Sequence, residues 1–479
     1  MTPRGIPPLP TDRLERVWGW GRAVSAMSHV FRPSTAEGIR QVFETARAHG
    51  LSVGLRGAGQ SYGDAALNAE NVCLDLSRMR RILAWDPERG VITVEPGVTI
   101  RDLWQYAIED GWWPYVVPGT MHATVGGCAA MNVHGKNNWK VGPLGDHIRA
   151  FELLLPDGTI AQCSRQERPE LFYAAIGGFG MLGSFVSITF ELKRMHSGLL
   201  AVEALSAGSL AEMENLFAER HAQADYLVGW VDGFARGSAL GRGLVHQARY
   251  LEAGEDPAPA QTLRVTAQDL PDTFFGVVPK AVMWRFMRPF MNPPGVRAVN
   301  AARHQLGRGR GTHGYHQSHA AFAFLLDYIP DWKLACGPGG LIQYQSFVPA
   351  DRAIAVFGEQ LRQAQERSLV PYLGVFKRHR ADSFLMTHGV DGYSLALEFK
   401  VTARNRARLR ALAADLDRLV VEAGGGFYFA KDSTLTPQSL ASYLREERVQ
   451  RFLALKAACD PEARLQTDLY RRLFGRAAP

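Results

Sequence analysis

Apolar positions recur at helical spacing and then give way to short, glycine-bounded apolar runs over the first 200 residues. Residues 33–50 (PSTAEGIRQVFETARAHG) predict a helix, opened by Ser34 or Thr35 at its N-cap and stopped at Gly50. Leu51–Arg56 predicts a buried strand, followed by the glycine-rich turn Arg56–Asp64 and further strands at Val72–Leu76 and Val91–Glu95. Thr99 is placed to cap a helix reaching about Asp110, and residues 114–150 look loop-rich. Phe151–Leu155 and Thr159–Cys163 flank Pro156-Asp157-Gly158, a hairpin signal with Asp-Gly in the turn. Gly177-Gly178-Phe179-Gly180-Met181-Leu182-Gly183 then leads into an alternating strand, Ser184–Leu192.

The texture changes near residue 195. Glycine clusters thin out, and helices at about 208–223, 350–367 and 402–423 alternate with strands at about 226–232, 340–348 and 392–401, a second α+β unit. Within it, residues 279–320 stand apart. An Arg/Met/Phe/Trp stretch (Met283–Met291) precedes a Gly/Arg/His segment from Arg303 to His319. The chain closes with a strand at Gly426–Ala430, Lys431-Asp432-Ser433, and two helices, the first capped by Thr436-Pro437.

Composition adds limits. The chain has 479 residues, 46% hydrophobic and 21% charged, which fits a folded multi-domain protein and excludes collagen-like or wholly disordered classes. The five Cys (73, 128, 163, 336, 459) form no CxxC pair, which suggests reduced thiols in the core. No apolar run is long enough to span a membrane, and the N-terminus lacks a secretory h-region, so a cytoplasmic location is expected. Lys plus Arg is 54 against 47 for Asp plus Glu, a net charge of +7 spread along the chain. No nucleic-acid reader motif accompanies it, so a phosphorylated cofactor, an anionic substrate or an acidic membrane surface is the better motive.

Gly57-x-Gly59 with Asp75 downstream imitates a dinucleotide-fold fingerprint. Two features reject it. Tyr62 stands at the third glycine position, and Gln60–Asn71 leaves no room for a crossover helix, so the segment is a wide loop. Comparable glycine loops recur at 118–127 and 177–183. A single such loop is commonly a tight turn. Three beside strands point to clustered backbone N–H groups holding one extended anionic cofactor.

Arg56-Gly57-Ala58-Gly59-Gln60-Ser61-Tyr62-Gly63-Asp64, Pro118-Gly119-Thr120 with Thr124-Val125-Gly126-Gly127, and Asn132-Val133-His134-Gly135-Lys136-Asn137 together resemble the FAD domain of the vanillyl-alcohol oxidase / p-cresol methylhydroxylase (PCMH) superfamily. The likeness extends through Tyr344-Gln345, Val375-Phe376-Lys377, Ala430-Lys431-Asp432-Ser433 and Asp468–Leu473, and points within the family to sugar-oxidising members. It implies an α+β protein: a two-part PCMH-type FAD-binding domain (20–195) split from its C-terminal return (426–479) by an inserted substrate domain (196–425) on an antiparallel sheet. It also implies an alcohol-oxidising site at the junction, needing a reductase partner or another electron acceptor. FAD would be held by residues 56–62 together with Gly119, Thr120, Thr124, Val125, Gly126 and Gly127. Asn132, His134, Gly135, Asn137, Gly180, Gly183 and Val186 complete the expected set. Gln60 stands where covalently tethered members often carry His, and no Cys sits beside Thr124, so FAD is expected to be non-covalent. Ala396 and Ser394 replace a Cys and an Asn of the sugar-oxidising branch, which leaves the substrate open.

Lys431 is the candidate for proton work, since burial at the end of an apolar strand would lower its pKa; the alternative is a loop Lys paired with Asp432. His134 is either a structural His or one facing flavin or substrate. Tyr62 could lie along the flavin, and Gln343, Gln345 and Lys377, with Ser394 and Ala396, could meet substrate oxygens; a strand puts Gln343 and Gln345 on one face. His122, His134 and His147 lack metal-ligand spacing, and the closer set His313, His316 and His319 sits in a segment that reads as irregular, so no metal is expected. Residues 279–320 have three readings: a lid, a peripheral membrane contact through Trp284, Phe286 and Phe290 with Arg285 and Arg288, or a core helix. The overall expectation is an FAD-dependent oxidoreductase acting on a secondary alcohol of a sugar or polyol, free or lipid-phosphate-linked. Its rivals are a sugar-lactone or alditol oxidase, a flavin-dependent reductase and a non-catalytic flavin-binding module.

Overall fold

A computed structural model describes residues 9–274, 276–309 and 314–475 of the chain. They form a mixed α/β structure in which the two large sheets are antiparallel. A four-stranded sheet runs Leu14–Trp18, Ser25–Phe31, Val72–Asp75, Val53–Arg56. Its last two strands are parallel although no helix connects them. The crossover is instead the glycine loop itself, closed by the Leu76 N–H donating to Arg56 O. The helix Ala36–Ala48 begins where the Thr35 hydroxyl accepts from Gly38 N and buries Ile39, Val42, Phe43 and Ala46, one stripe against this sheet.

The second sheet places Ser184–Arg194 at its centre, between Val91–Val94 and Ile148–Leu154, with Ile82–Asp86 and Ile160–Ser164 outside them. The Asp-Gly hairpin forms: Asp157 Oδ1 accepts from Thr159 N at 2.9 Å and Gly158 takes φ +90°. Thr99 caps Ile100–Ala107 in a reciprocal box with Asp102.

The third sheet has eight strands, in the order Tyr315–Ser318, Leu199–Ala207, Gly243–Tyr250, Tyr226–Val231, Leu373–His379, Gly392–Lys400, Leu341–Pro349, Gly426–Phe427. The strand expected at Gly426–Ala430 stops after two residues, which pair with Ser346 and Phe347 on this sheet rather than turning back to the first. It is the following chain that crosses back. Val53 N donates to Arg464 O, and Gln466 N to Val53 O, joining the C-terminal segment to the four-stranded sheet. Three helices, Pro437–Tyr443, Glu446–Cys459 and Asp468–Phe474, replace the two expected.

Two stretches are more ordered than their composition suggests. Residues 114–150 contain short helices at Val125–Ala130 and Asn138–Val141. The first starts because the N–H groups of Val125 and Gly126 donate to Val98 O and Pro96 O, and its glycine is sterically required: a Cβ on Gly126 would lie 2.6 Å from Pro96 Cβ. Residues 293–309 form one long helix, and 315–318 are a strand; residues 310–313 lie outside the described set. Among the described residues no helix is long and apolar enough to cross a membrane.

Candidate active site

A cavity of about 570 Å³ opens where the glycine loops meet one face of the eight-stranded sheet. The size is that of a cofactor or ligand pocket. The whole loop from Arg56 to Tyr62 lines it, with Gly119, Thr120, Thr124, Gly126, Gly127, Gly180 and His134. From the sheet come Gln343, Gln345, Lys377 and Ala396, and from the 428–432 turn comes Lys431.

The first loop is held from both sides. Trp20 N donates to Ser61 O at 2.8 Å, and Tyr62 N to Ala430 O at 2.9 Å. Arg56 reaches back to Trp18 O at 3.0 Å. Within the loop, none of the described residues accepts a hydrogen bond from the backbone N–H groups of Ala58, Gly59, Gln60 or Ser61. Four adjacent donors without chain partners, on a cavity wall, form a nest for a diphosphate. Glycine at position 57 is required by contact, since a Cβ there would lie 2.0 Å from Thr124 Oγ1. These features fit the diphosphate and ring of FAD.

Seven expected site residues do other work. Val125 is buried in the core behind its helix. Asn132, at φ +43°, uses Oδ1 to accept from Gly145 N. Asn137 Nδ2 donates to Tyr115 O, and a Cβ on Gly135 would press on Asn137 Oδ1. Gly183 makes room for Leu153, and Val186 packs with Val72 and Leu154. Ser394 is buried beneath the cavity floor, its hydroxyl bridging His379 Nε2 at 2.8 Å and Gln345 Nε2 at 3.3 Å. Thr120 lines the cavity, but its hydroxyl is engaged: it donates to Asp327 Oδ1 at 2.7 Å.

Lys431 does not end a strand. It sits in a turn, with its N–H donating to Tyr428 O, and its Nζ stands 4.0 Å from the Tyr62 ring centroid. Asp432 points away from it, to Arg472 at 2.8 Å. Arg472 also holds Asp64 through two hydrogen bonds of 2.8 Å, tying the turn to the first loop. Burial pushes the Lys431 amine well below the usual lysine range, with Lys377 adding to the fall and Glu398 opposing it. Lys377 is itself pulled down to about 8 by burial.

Glu398 is the cavity acid that sequence reasoning missed. It is 3% exposed and lines the cavity, and its Oε1 accepts from Tyr62 Oη and from Gln343 Nε2, both at 2.7 Å. Burial raises its carboxyl above the ordinary range, while Tyr62, Lys431 and Gln343 pull the other way. The register pairs Gln343 with Glu398 and Gln345 with Ala396, so the polar row spans two strands. A lone acid in the apolar strand Tyr393–Phe399, opposite two glutamines, was the available signal. Lys136 was also missed: its Nζ donates to the carbonyls of Phe322 and Ala323, and burial pulls it down to about 7.

His134 is buried against Phe347, Tyr428, His379 and His388, and its Nε2 lies 3.1 Å from Gln345 Nε2. Burial and neighbouring lysines hold it well below the usual histidine range, so it is a neutral imidazole at the cavity edge. His122 is exposed and His147 stacks on Tyr115 at 4.2 Å, far from a shared centre, and His313 lies outside the described residues. All five cysteines are free and buried.

A glycine-loop cradle opening on a half-buried amine, a carboxylate and two amides is what a flavin-dependent oxidoreductase requires. The comparisons agree: residues 27–164 match the FAD binding domain family, and the chain is an FAD-binding oxidoreductase similar to the vanillyl-alcohol oxidase / PCMH type. It is 28% identical over 468 residues to decaprenylphosphoryl-beta-D-ribose oxidase of Mycolicibacterium smegmatis, covering 96% of this chain and 97% of that protein. An uncharacterized protein in the mprA 5' region of Streptomyces coelicolor is 29% identical over 78% of this chain and all of its own length. L-gulonolactone oxidase of Bos taurus matches at 29% over 173 residues, 36% of this chain and 39% of that one. As an oxidoreductase of this family the protein is an enzyme, which removes the non-catalytic module.

Proposed function

We propose that the enzyme oxidises a secondary alcohol of a sugar or polyol, with FAD bound non-covalently. The observation that carries this reading is the half-buried Lys431 amine, with no hydrogen-bond partner among the described residues, facing the cavity beside Tyr62. FAD, when bound, supplies the acceptor for the hydride of the alcohol C–H. Lys431, its affinity for protons lowered by burial, takes the hydroxyl proton. Gln343 and Gln345 orient neighbouring hydroxyls from one strand face, and Lys377 approaches from the strand beyond Ala396. The phenol of Tyr62, fixed by Glu398, holds its ring under the Lys431 ammonium once the proton has arrived.

The charge on the walls supports an anionic substrate. Among the lining residues Glu398 is the one acid, against Arg56, Arg303 and Lys377, with the amines of Lys136 and Lys431 lowered by burial. A phosphate-linked sugar, as in the name of the Mycolicibacterium relative, fits that balance; so does a carboxylated one. Peripheral contact with an acidic lipid surface is part of the same reading. Phe286 and Phe290 are each 58% exposed, and Lys280–Gly309 contains no Asp or Glu. The segment also borders the site, because Arg303 lines the cavity and Met291 packs with the cluster of Tyr62.

The test is anaerobic bleaching of the bound flavin by free sugars, sugar lactones, alditols and prenyl-phosphate sugars. Bleaching by at least one phosphate- or hydroxyl-rich alcohol is expected, abolished in Lys431→Ala with FAD still bound. Bleaching that survives in Lys431→Ala removes the proposed base. Acid precipitation should leave the yellow colour in solution, and a coloured pellet would show a covalent bond.

A further inference from the structure

The carboxylate of Glu398 lies in the cavity wall, but its two oxygens are not used alike. Oε1 accepts from both Tyr62 and Gln343, whereas no described residue donates to Oε2, and Oε2 is not among the sealed, unpartnered buried atoms. Glu398 does not form a direct ion pair with Lys431. Between them stands Tyr62: its hydroxyl donates to the carboxylate at 2.7 Å, and its ring carries Lys431 Nζ at 4.0 Å. Trp20 packs on Tyr62 at 4.5 Å and fixes the ring. A phenol hydrogen-bonded to an anion is more electron-rich over its face, so a negative Glu398 strengthens the seat of an ammonium on the far side.

We propose that Glu398 is a positioning residue for the reaction: joined to Lys431 through Tyr62, it supplies the counter-charge when Lys431 takes the substrate's hydroxyl proton. The inference rests on the proton-accepting role proposed above for Lys431. As the alcohol is oxidised, the O–H proton moves to the neutral Lys431 amine, and the O–H bonding pair becomes the second C–O bond. The carbon-bound hydrogen leaves with its own pair to the FAD of the established oxidoreductase. The amine thereby gains a positive charge in a walled cavity while the hydride pair carries the balancing negative charge to the flavin, and Glu398 is the lone acid among the lining residues. The other titratable groups around the pair do not supply an anion. Lys377 on the adjacent strand and His134 at the cavity edge add none, and Tyr428 and Cys336 are held in their neutral forms by burial. Asp432 is committed to Arg472. Burial raises the Glu398 carboxyl and lowers the Lys431 amine, and the attraction between the two opposes both shifts.

The sign of the effect is fixed. A carboxylate raises the proton affinity of Lys431, so a neutral amide at 398 lets the amine lose its proton at lower pH. The probe is acetic anhydride, which acylates neutral amines, applied across pH to the FAD-loaded protein with the Lys431 peptide quantified by mass spectrometry. In Glu398→Gln the midpoint of Lys431 acylation should fall by roughly one pH unit. Tyr62→Phe, which removes a donor that keeps Glu398 ionised, should shift it the same way by less. Glu398→Asp, which keeps the charge, provides the folded control and should stay within a few tenths of wild type. An unmoved midpoint in folded Glu398→Gln overturns the proposal, as does a wild-type Lys431 that never reacts. The titration uses no substrate. Failure of every sugar to bleach the flavin would therefore sink the functional reading while leaving this measurement to decide the pair. An unmoved midpoint beside normal bleaching would sink the pair alone.

Discussion

Replacing Gly57 by Ala adds one methyl group to the narrowest contact between the two loops assigned to FAD. The new Cβ would lie 2.0 Å from Thr124 Oγ1, with Thr124 Cβ and Cγ2 at 3.3 and 3.5 Å. Carbon–oxygen contacts need well over 3 Å, so more than an ångström must be found. The backbone at 57 is not in the left-handed region, so the penalty is steric and not conformational. Thr124 is 2% exposed, so its side chain has little free space into which to swing. Overpacking of this kind costs about 1–3 kcal/mol. Relief comes by parting the 56–62 loop from the start of the Val125 helix, the two walls proposed to hold the cofactor. The cost therefore falls mainly on the loaded state, and FAD affinity should drop by about fivefold to a hundredfold. Fluorescence titration of deflavinated protein with FAD reads it, with thermal unfolding of the apoprotein run in parallel. The same change made in Thr124→Ala, where the obstructing atoms are gone, should cost less than half as much. Equal FAD affinity for Gly57→Ala and wild type, or an undiminished loss in the Thr124→Ala background, would refute the assignment of these loops.

Two further changes probe the frame around the site. Arg472→Met strands Asp64 and Asp432, and should lower stability by about 3 kcal/mol, the low end for a broken buried pair, because burial already raises the Asp64 carboxyl and lets it escape by protonation. Urea unfolding measures this, and adding Asp432→Asn should recover part of it. His388, packed against Tyr428 and Phe347, is pushed down to about 3 by burial, from an unperturbed 6.5. A folded-state pKa below the unfolded one means that protons bind the unfolded chain first, so stability is full above pH 6.5 and falls as pH drops toward 3, by up to about 1.4 kcal/mol per pH unit for this one group. His388→Phe should flatten that part of the pH–stability curve, and an unchanged slope would show that the group does not remain neutral in the folded protein.

Much of the site was legible because its signals are local. Glycines 57, 59, 126 and 127 announce backbone approach, and Gln343 and Gln345 announce a polar face by their spacing of two. Glu398 was harder to see because its meaning depends on strand register, which pairs it with Gln343 across a long connection. Ser394 shows the converse. It shares the parity of Ala396 and Glu398, but His379 and Gln345 absorb its hydroxyl. The sequence sets no bounds on the helix 293–309, only a core-helix alternative for 279–320, because Pro293, Pro294 and Gly295 open it and its buried stripe is Val296, Asn300 and His304, two of them polar. Asn300 earns its place only through Asp232, to which its Nδ2 donates at 3.0 Å. The turn at Lys431 was mistaken for strand because Phe427, Tyr428, Phe429 and Ala430 are all buried, and burial without alternation does not distinguish a strand from a packed turn.

The most direct measurement is a crystal structure of the yellow, FAD-loaded protein. Diphosphate oxygens within hydrogen-bond reach of the N–H groups of Ala58–Ser61, with the flavin ring beside Tyr62 and Lys431, are the predicted result. A diphosphate seated elsewhere, with the 56–62 loop facing only water, would contradict it.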